Sequence, residues 1–309
     1  MVLNKKAMVF TLVTITLLSI FAISYGSYNL IKDRTSINKR INTLNNFVNS
    51  VETDLPRQLF VSGYRTIFIL NKEILDSGDY INDTNNSVNE LFFDSKLDGV
   101  KKDLMDDANF TKIQNDLSIN ANKINAEISL LNPTLEITQD DPWNLKFILN
   151  ITLIITDKAG LASWNRTASI ISYIPTETLL DPFYSVGTSG TVTNKVIQTP
   201  YTTFVSGGDD TNLTDHFQNS YYKASASAPN YLQRLEGDFS ADPNGVESLF
   251  YPDNLPEGIN AKTKSVIDYI YFSTSDYQDY TISGITNLIL DDEDNHLALY
   301  NVTDIATPI

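Results

Sequence analysis

The side chains best suited to chemistry in this chain are few and scattered. Its two histidines, His216 and His296, lie far apart, and a pair so separated reads as two surface residues rather than one site. Cysteine is absent, which removes disulfides, thiolate catalysis, Cys-ligated zinc and lipoprotein acylation together. None of the phosphate-cradling, dinucleotide, zincin or nucleophile-elbow patterns occurs. Two acidic stretches, Asp291 to Asn295 and Asp242-Pro243-Asn244-Gly245, offer the oxygens a hard cation needs. Neither has EF-hand spacing, so they read as solvated charge and an ordinary turn. No catalytic, cofactor-binding or metal-ligating residue is therefore assigned, and no enzyme is expected. N-x-[ST] sequons fall at Asn82, Asn85, Asn109, Asn150, Asn165, Asn212 and Asn301, a number that chance supplies in a chain so rich in Asn, Ser and Thr. Asn82 and Asn85, in a polar loop, are the best acceptors for N-glycosylation if the body is outside the cell.

The element with the clearest consequence stands at the N-terminus. From Ala7 to Ile31 no residue is charged, and a helix of about 20 such residues crosses a hydrocarbon core. Thr11, Thr14, Thr16, Ser19, Ser24 and Ser27 can return their hydroxyls to the helix's own carbonyls, and Tyr25 and Tyr28 fall where an interfacial aromatic belt lies. A secretory signal peptide has a shorter apolar run and ends in small residues, unlike this one. Retention as an anchor is expected, and the lipid bilayer is the first partner.

The stretch Lys5-Lys6-Ala7, followed at once by Met8 and the uncharged run, resembles the class III signal of type IV pilin-like proteins, archaeal ones especially. The resemblance covers about the first 50 residues. It implies a prepilin-type peptidase as a partner, cleavage between Ala7 and Met8 with Lys6 as the basic residue before the site, and homo- or hetero-oligomers built through the retained helix. Where many bacterial pilins carry an acidic residue at the fifth mature position, this chain has Leu12.

Beyond the apolar run, Ile37, Ile41, Leu44, Val48, Val51 and Leu55 are spaced 4, 3, 4, 3, 4 with polar residues between them. That spacing predicts an amphipathic helix whose apolar face packs on the chain's own body or on a second chain. Pro56 is expected to stop or kink it, and residues 57–75 to resume as a core helix through Leu59, Phe60, Ile67, Phe68, Ile74 and Leu75.

The remainder reads as one acidic α+β body. The chain carries a net charge of −16, and its first 40 residues hold Lys5, Lys6, Lys32, Arg34, Lys39 and Arg40 against Asp33 alone, so residues 41–309 are more acidic still. Such a surface repels nucleic acid, and none is expected as a partner. Apolar residues at 42% and aromatic residues at 11% suit a folded core. Helices are predicted near 86–105 and 109–122. A meander of three or four antiparallel strands comes next over 126–174, then a hairpin around Gly187 to Gly190, a short helix capped by Thr211 or Asn212, and a strand at 264–274.

These expectations divide the chain into a cytoplasmic leader (1–7), a transmembrane helix (8–31), an amphipathic extension (32–55) and an extracellular α+β domain (56–309) with a mainly antiparallel sheet. The function they point to is a single-pass cell-membrane protein with its body outside: a pilin-like subunit or accessory component of a surface filament or secretion system. The alternative is a tethered ectodomain that binds a ligand or protein partner without polymerising.

Overall fold

The computed structural model describes residues 5–309, and for Lys5, Lys6, Asn29, Leu30 and Asp33 the backbone alone. The chain is mixed, 44% helical and 23% strand, with antiparallel sheets. It opens with α1 (Lys5–Ser77), followed by α2 (Thr84–Asp94), the short strands β1 (Lys96–Leu97) and β2 (Val100–Lys101), and α3 (Phe110–Lys123). Three long strands come next, β3 (Ala126–Asp141), β4 (Asn144–Asp157) and β5 (Ser163–Pro175). The rest is built from small pieces: α4 (Pro182–Gly187), α5 (Thr211–Gln218), β6 (Tyr222–Ala224), α6 (Tyr231–Glu236), β7 (Val246–Ser248), α7 (Asp268–Phe272), β8 (Asp279–Ile282), β9 (Ile289–Asp291), α8 (His296–Leu299) and β10 (Ala306–Pro308).

Pro56 does not stop α1, which continues beyond it to Ser77. The ring forfeits one backbone hydrogen bond, to the carbonyl of Glu52, at a cost of about 3 kcal/mol. Burial of Leu55 and Leu59, at 1% and 0% exposure, returns about 1.5–3 kcal/mol each, so packing outweighs the break.

The chain partitions into two compact units. The first comprises Met1–Asp54, Asn115–Leu131 and Thr152–Thr167. Its core is Leu44, Val48 and Val51 of α1, Leu117 and Ala121 of α3, Ile128 of β3, and Leu153 and Ile155 of β4. Arg40 ties the helix down: its Nε donates to Asp157 Oδ1 at 2.9 Å and its Nη2 to the Asn125 carbonyl at 2.8 Å. The guanidinium holds the Asp157 carboxyl below the usual carboxylate range.

The second unit comprises Leu55–Gln114, Asn132–Ile151 and Ala168–Ile309. Here the α1 face Leu59, Ile67, Leu70 and Ile74 is buried. Gly63 sits where an added Cβ would lie 3.2 Å from the side chains of Ile174 and Phe147, so this close approach of helix to sheet leaves little room for a larger residue. Asn71, 7% exposed, donates to Tyr231 Oη at 2.8 Å, and Tyr231 Oη donates onward to the Leu180 carbonyl at 2.8 Å. A second core gathers Phe183, Phe204, Phe217, Leu249, Ile267 and Tyr300 with Ile282 of β8 and Leu290 of β9.

The predicted meander is present with three strands, in the order β3-β4-β5. Asn132-Pro133 does not divide it: Asn132 takes φ 51° and the strand resumes, as an edge strand tolerates. The helix expected over 86–105 ends at Asp94, because Ser95 turns left-handed (φ 55°) and Asp98-Gly99 makes a tight hairpin, both with positive φ. Glu90 holds that turn by accepting from the amides of Asp98 and Gly99 at 2.9 and 2.8 Å. The expected hairpin around Gly187 is instead α4, begun by Asp181 as N-cap and Pro182 in the first turn. Residues 268–272 are helical rather than strand, since Asp268, Tyr269, Ile270 and Tyr271 are buried consecutively and no alternating face exists.

Candidate functional site

Among the described residues one helical segment, Ala7–Tyr28, is long and apolar enough to cross a membrane: 22 residues with mean hydropathy 2.3, none of them buried. At 1.5 Å per residue it spans about 33 Å, against a hydrocarbon core of about 30 Å. Four of its hydroxyls are satisfied internally. Thr11 donates to the Ala7 carbonyl at 3.0 Å, Thr14 to Phe10 at 2.8 Å, Thr16 to Leu12 at 2.7 Å and Ser19 to Ile15 at 2.8 Å. No polar side chain among these four therefore asks water to follow it into an apolar medium. Of the leader residues, Ala7 and Met8 are exposed on this helix, whereas residues 1–4 and the Lys6 side chain lie outside the described residues.

The six-residue packing face divides. Leu44, Val48, Val51 and Leu55 are buried, Ile41 is half-buried, and Ile37 is 40% exposed, so full cover begins at Leu44 rather than at the start of the stripe. In the following segment Leu59, Ile67 and Ile74 are core as expected, but Phe60, Phe68 and Leu75 are not, at 38%, 49% and 38% exposure. They share the outward face with Val61 and Tyr64. The spacing 61, 64, 68, 75 repeats the helical period on a second side, and the sequence alone does not reveal which of two apolar faces meets the body. Phe60 stacks on Tyr64 with ring centroids 6.5 Å apart. Beside them a groove of about 560 Å³ runs between Tyr64, Phe68 and Leu75 on α1 and Thr178, Leu180 and Lys195. Lys72 and Asp76 form an ion pair on its wall.

Both histidines, expected at the surface, are fully buried. They belong to polar clusters organised by the two-stranded ribbon β6-β7, in which Tyr222 pairs with Ser248 and Lys223 with Glu247. Alternation sends these pairs to opposite faces. On one face His296 Nδ1 meets Asp291 Oδ1 at 2.7 Å, Asp291 Oδ2 accepts from Ser265, and His296 Nε2 faces Tyr269 Oη at 3.2 Å and Glu247 Oε2 at 3.7 Å. Tyr300 Oη donates to Glu247 Oε1 at 2.9 Å. Burial by itself would lower the His296 pKa, but its contacts with Asp291 and Glu247 raise it to about 10. His216, with Nδ1 3.1 Å from Thr199 Oγ1, has no such anion in contact, and burial pushes it down to about 3. With every member buried, the Ser265, Asp291, His296 and Glu247 chain acts as a brace between β7, β9 and α8. On the other face Arg234 bridges Asp181 and Asp268. Nothing in the spacing of these residues announced either cluster, because their partners are assembled from six short elements.

Asn82 and Asn85 are exposed, the latter in the first turn of α2. By contrast the side-chain amides of Asn109, Asn212 and Asn301 are engaged with Ser95, Thr203 and Phe204. Of the acidic stretches, Asp291 turns inward to His296, and Asp242 accepts from the Asn244 amide at 2.7 Å in a turn. Among the described residues no group of three or more His, Asp or Glu is placed to hold a metal ion. No family model, curated protein sequence or solved structure matches this chain.

Proposed function

We propose that this protein is a single-pass cell-membrane protein with its body outside, acting as a pilin-like subunit or accessory component of a surface filament or secretion system. One observation carries the reading: α1 is a single 73-residue helix that, after Lys5 and Lys6, runs as an uncharged, exposed segment over Ala7–Tyr28 and continues into a stripe buried by the chain's own body. A helix with apolar side chains on every face needs a non-aqueous surrounding, which a bilayer supplies and which the same segments of neighbouring copies supply equally well. The body then forms the outer surface, and its acidity keeps it soluble. The prepilin-type peptidase is the partner that would expose Met8.

The test is the intact mass of the native protein recovered from membranes and from sheared surface material. A chain that begins at Met8 in the sheared fraction, and is lost from it when Lys6 or Ala7 is replaced, supports the filament reading. A chain that begins at Met1 and stays with the membrane overturns it, and the protein is then a tethered ectodomain, with the groove beside Tyr64 and Phe68 as the place to look for a bound partner.

A further inference from the structure

The cluster on the inner face of β6-β7 holds more negative than positive charge. Arg234 Nη1 lies 2.6 Å from Asp181 Oδ2 and 2.9 Å from Asp268 Oδ2, and all three side chains are at 0% exposure. Asp181 also accepts from the Phe183 amide at 2.9 Å and from Tyr222 Oη at 2.6 Å. Asp268 accepts from the Ser248 amide at 3.1 Å, Ser248 Oγ at 2.7 Å and the Tyr269 amide at 2.6 Å. Arg234 Nη2 reaches Asp268 Oδ1 at 3.3 Å and also donates to the Val246 carbonyl. Two carboxylates on one guanidinium leave one uncompensated negative charge in a dry interior, and such an excess is removed by taking up a proton.

We infer that Asp268 holds a proton in the folded protein, and that this proton operates a clamp joining the start of α4, α6, β6, β7 and α7. The proton has a place to sit. Asp268 Oδ2 is 2.7 Å from Ser248 Oγ, and Ser248 Oγ is in turn 3.0 Å from Tyr184 Oη, a contact in which either oxygen can donate. If Asp268 donates to Ser248, the serine hydroxyl swings to donate to Tyr184 Oη. The titratable groups facing Asp268 are Arg234 of α6, Asp181 and Tyr184 of α4 and its cap, Tyr222 of β6, Tyr269 of α7, and Tyr300. Burial raises the Asp268 pKa and Arg234 opposes the rise, leaving it at about 6.

Linkage gives the sign. A folded pKa raised above the ordinary value of about 3.9 contributes stability that is complete below that value and lost as pH rises through about 6. His216 works in the opposite sense, because burial lowers it to about 3, so its contribution is lost as pH falls below about 6.5. The clamp must therefore be read as a difference between two proteins that both contain His216.

The experiment is thermal unfolding of the full chain in detergent, wild type against Asp268→Asn, from about pH 4 to about pH 8. The variant is permanently neutral at this position. Its Tm relative to wild type is expected to rise by several degrees as pH climbs from about 4 to about 6, and to level off above that. A difference that stays constant with pH overturns the inference. Infrared difference spectra of the wild type supply an arm that needs no variant. A buried carboxylic acid carbonyl that disappears near pH 6 is expected, and its absence throughout the range overturns the proton on Asp268 whatever the variant does.

Discussion

Along α1, residues 7–28 carry apolar side chains on every face and bury none of them, whereas residues 44–74 bury one face and leave the other to solvent. Both stretches are regular helix, so helix formation does not distinguish them. The arrangement of apolar residues does. A periodic stripe can be satisfied by a body on one side, and Leu44, Val51, Leu59 and Ile67 are satisfied in that way. A uniform apolar surface has no preferred side and can be satisfied only by a change of surrounding medium. The outward face at Phe60, Val61, Tyr64, Phe68 and Leu75 is a third case, apolar by period yet open.

Single substitutions along the helix put this contrast at risk. The largest effect is expected at Leu59→Ala, where removal of a fully buried side chain costs about 2–5 kcal/mol, read from the urea midpoint. Leu17→Ala, in the bare segment, should leave that midpoint where it is; equal losses at both sites would erase the distinction. Next, Leu17→Lys places a charge in the middle of the uncharged span and should weaken membrane insertion by about 3 kcal/mol, seen as a shift from alkali-resistant to soluble fractions. Unchanged partition would mean that this helix does not sit in a bilayer. Gly63→Val should cost about 1–3 kcal/mol, because its side chain meets Ile174 and Phe147. The smallest effect is expected at Ile37→Ala, within about 0.5 kcal/mol, since Ile37 lies ahead of the covered part of the stripe. A loss there as large as at Leu44→Ala would extend the cover toward the uncharged segment.

Several features are legible in the sequence because they depend on neighbours in the chain. The three long strands arise from runs of β-branched residues, and β4 alternates buried and half-buried positions from end to end. The Asp98-Gly99 hairpin and the Asp181-Pro182 helix start carry equally local signals, a left-handed pair and an N-cap followed by proline, which a reading of longer periods passes over. The histidines are not legible. Their burial depends on Asp291, Glu247 and Tyr269 for His296 and on Thr199 for His216, residues whose meeting is decided by how β6, β7, β9, α5, α7 and α8 pack.

Composition and short periods alone marked a helix long and apolar enough to cross a membrane, a 4, 3 stripe after it, and an acidic body of helices and antiparallel strands. Each of these rests on residue type or on a spacing shorter than two helical turns. Tertiary packing decided that the helix would run through Pro56, because buried leucines outweigh one lost hydrogen bond. It also decided which apolar side of residues 57–75 would be covered, and that one buried arginine would answer to two carboxylates. Those outcomes depend on contacts between residues 34 to 160 positions apart, and no local pattern encodes them.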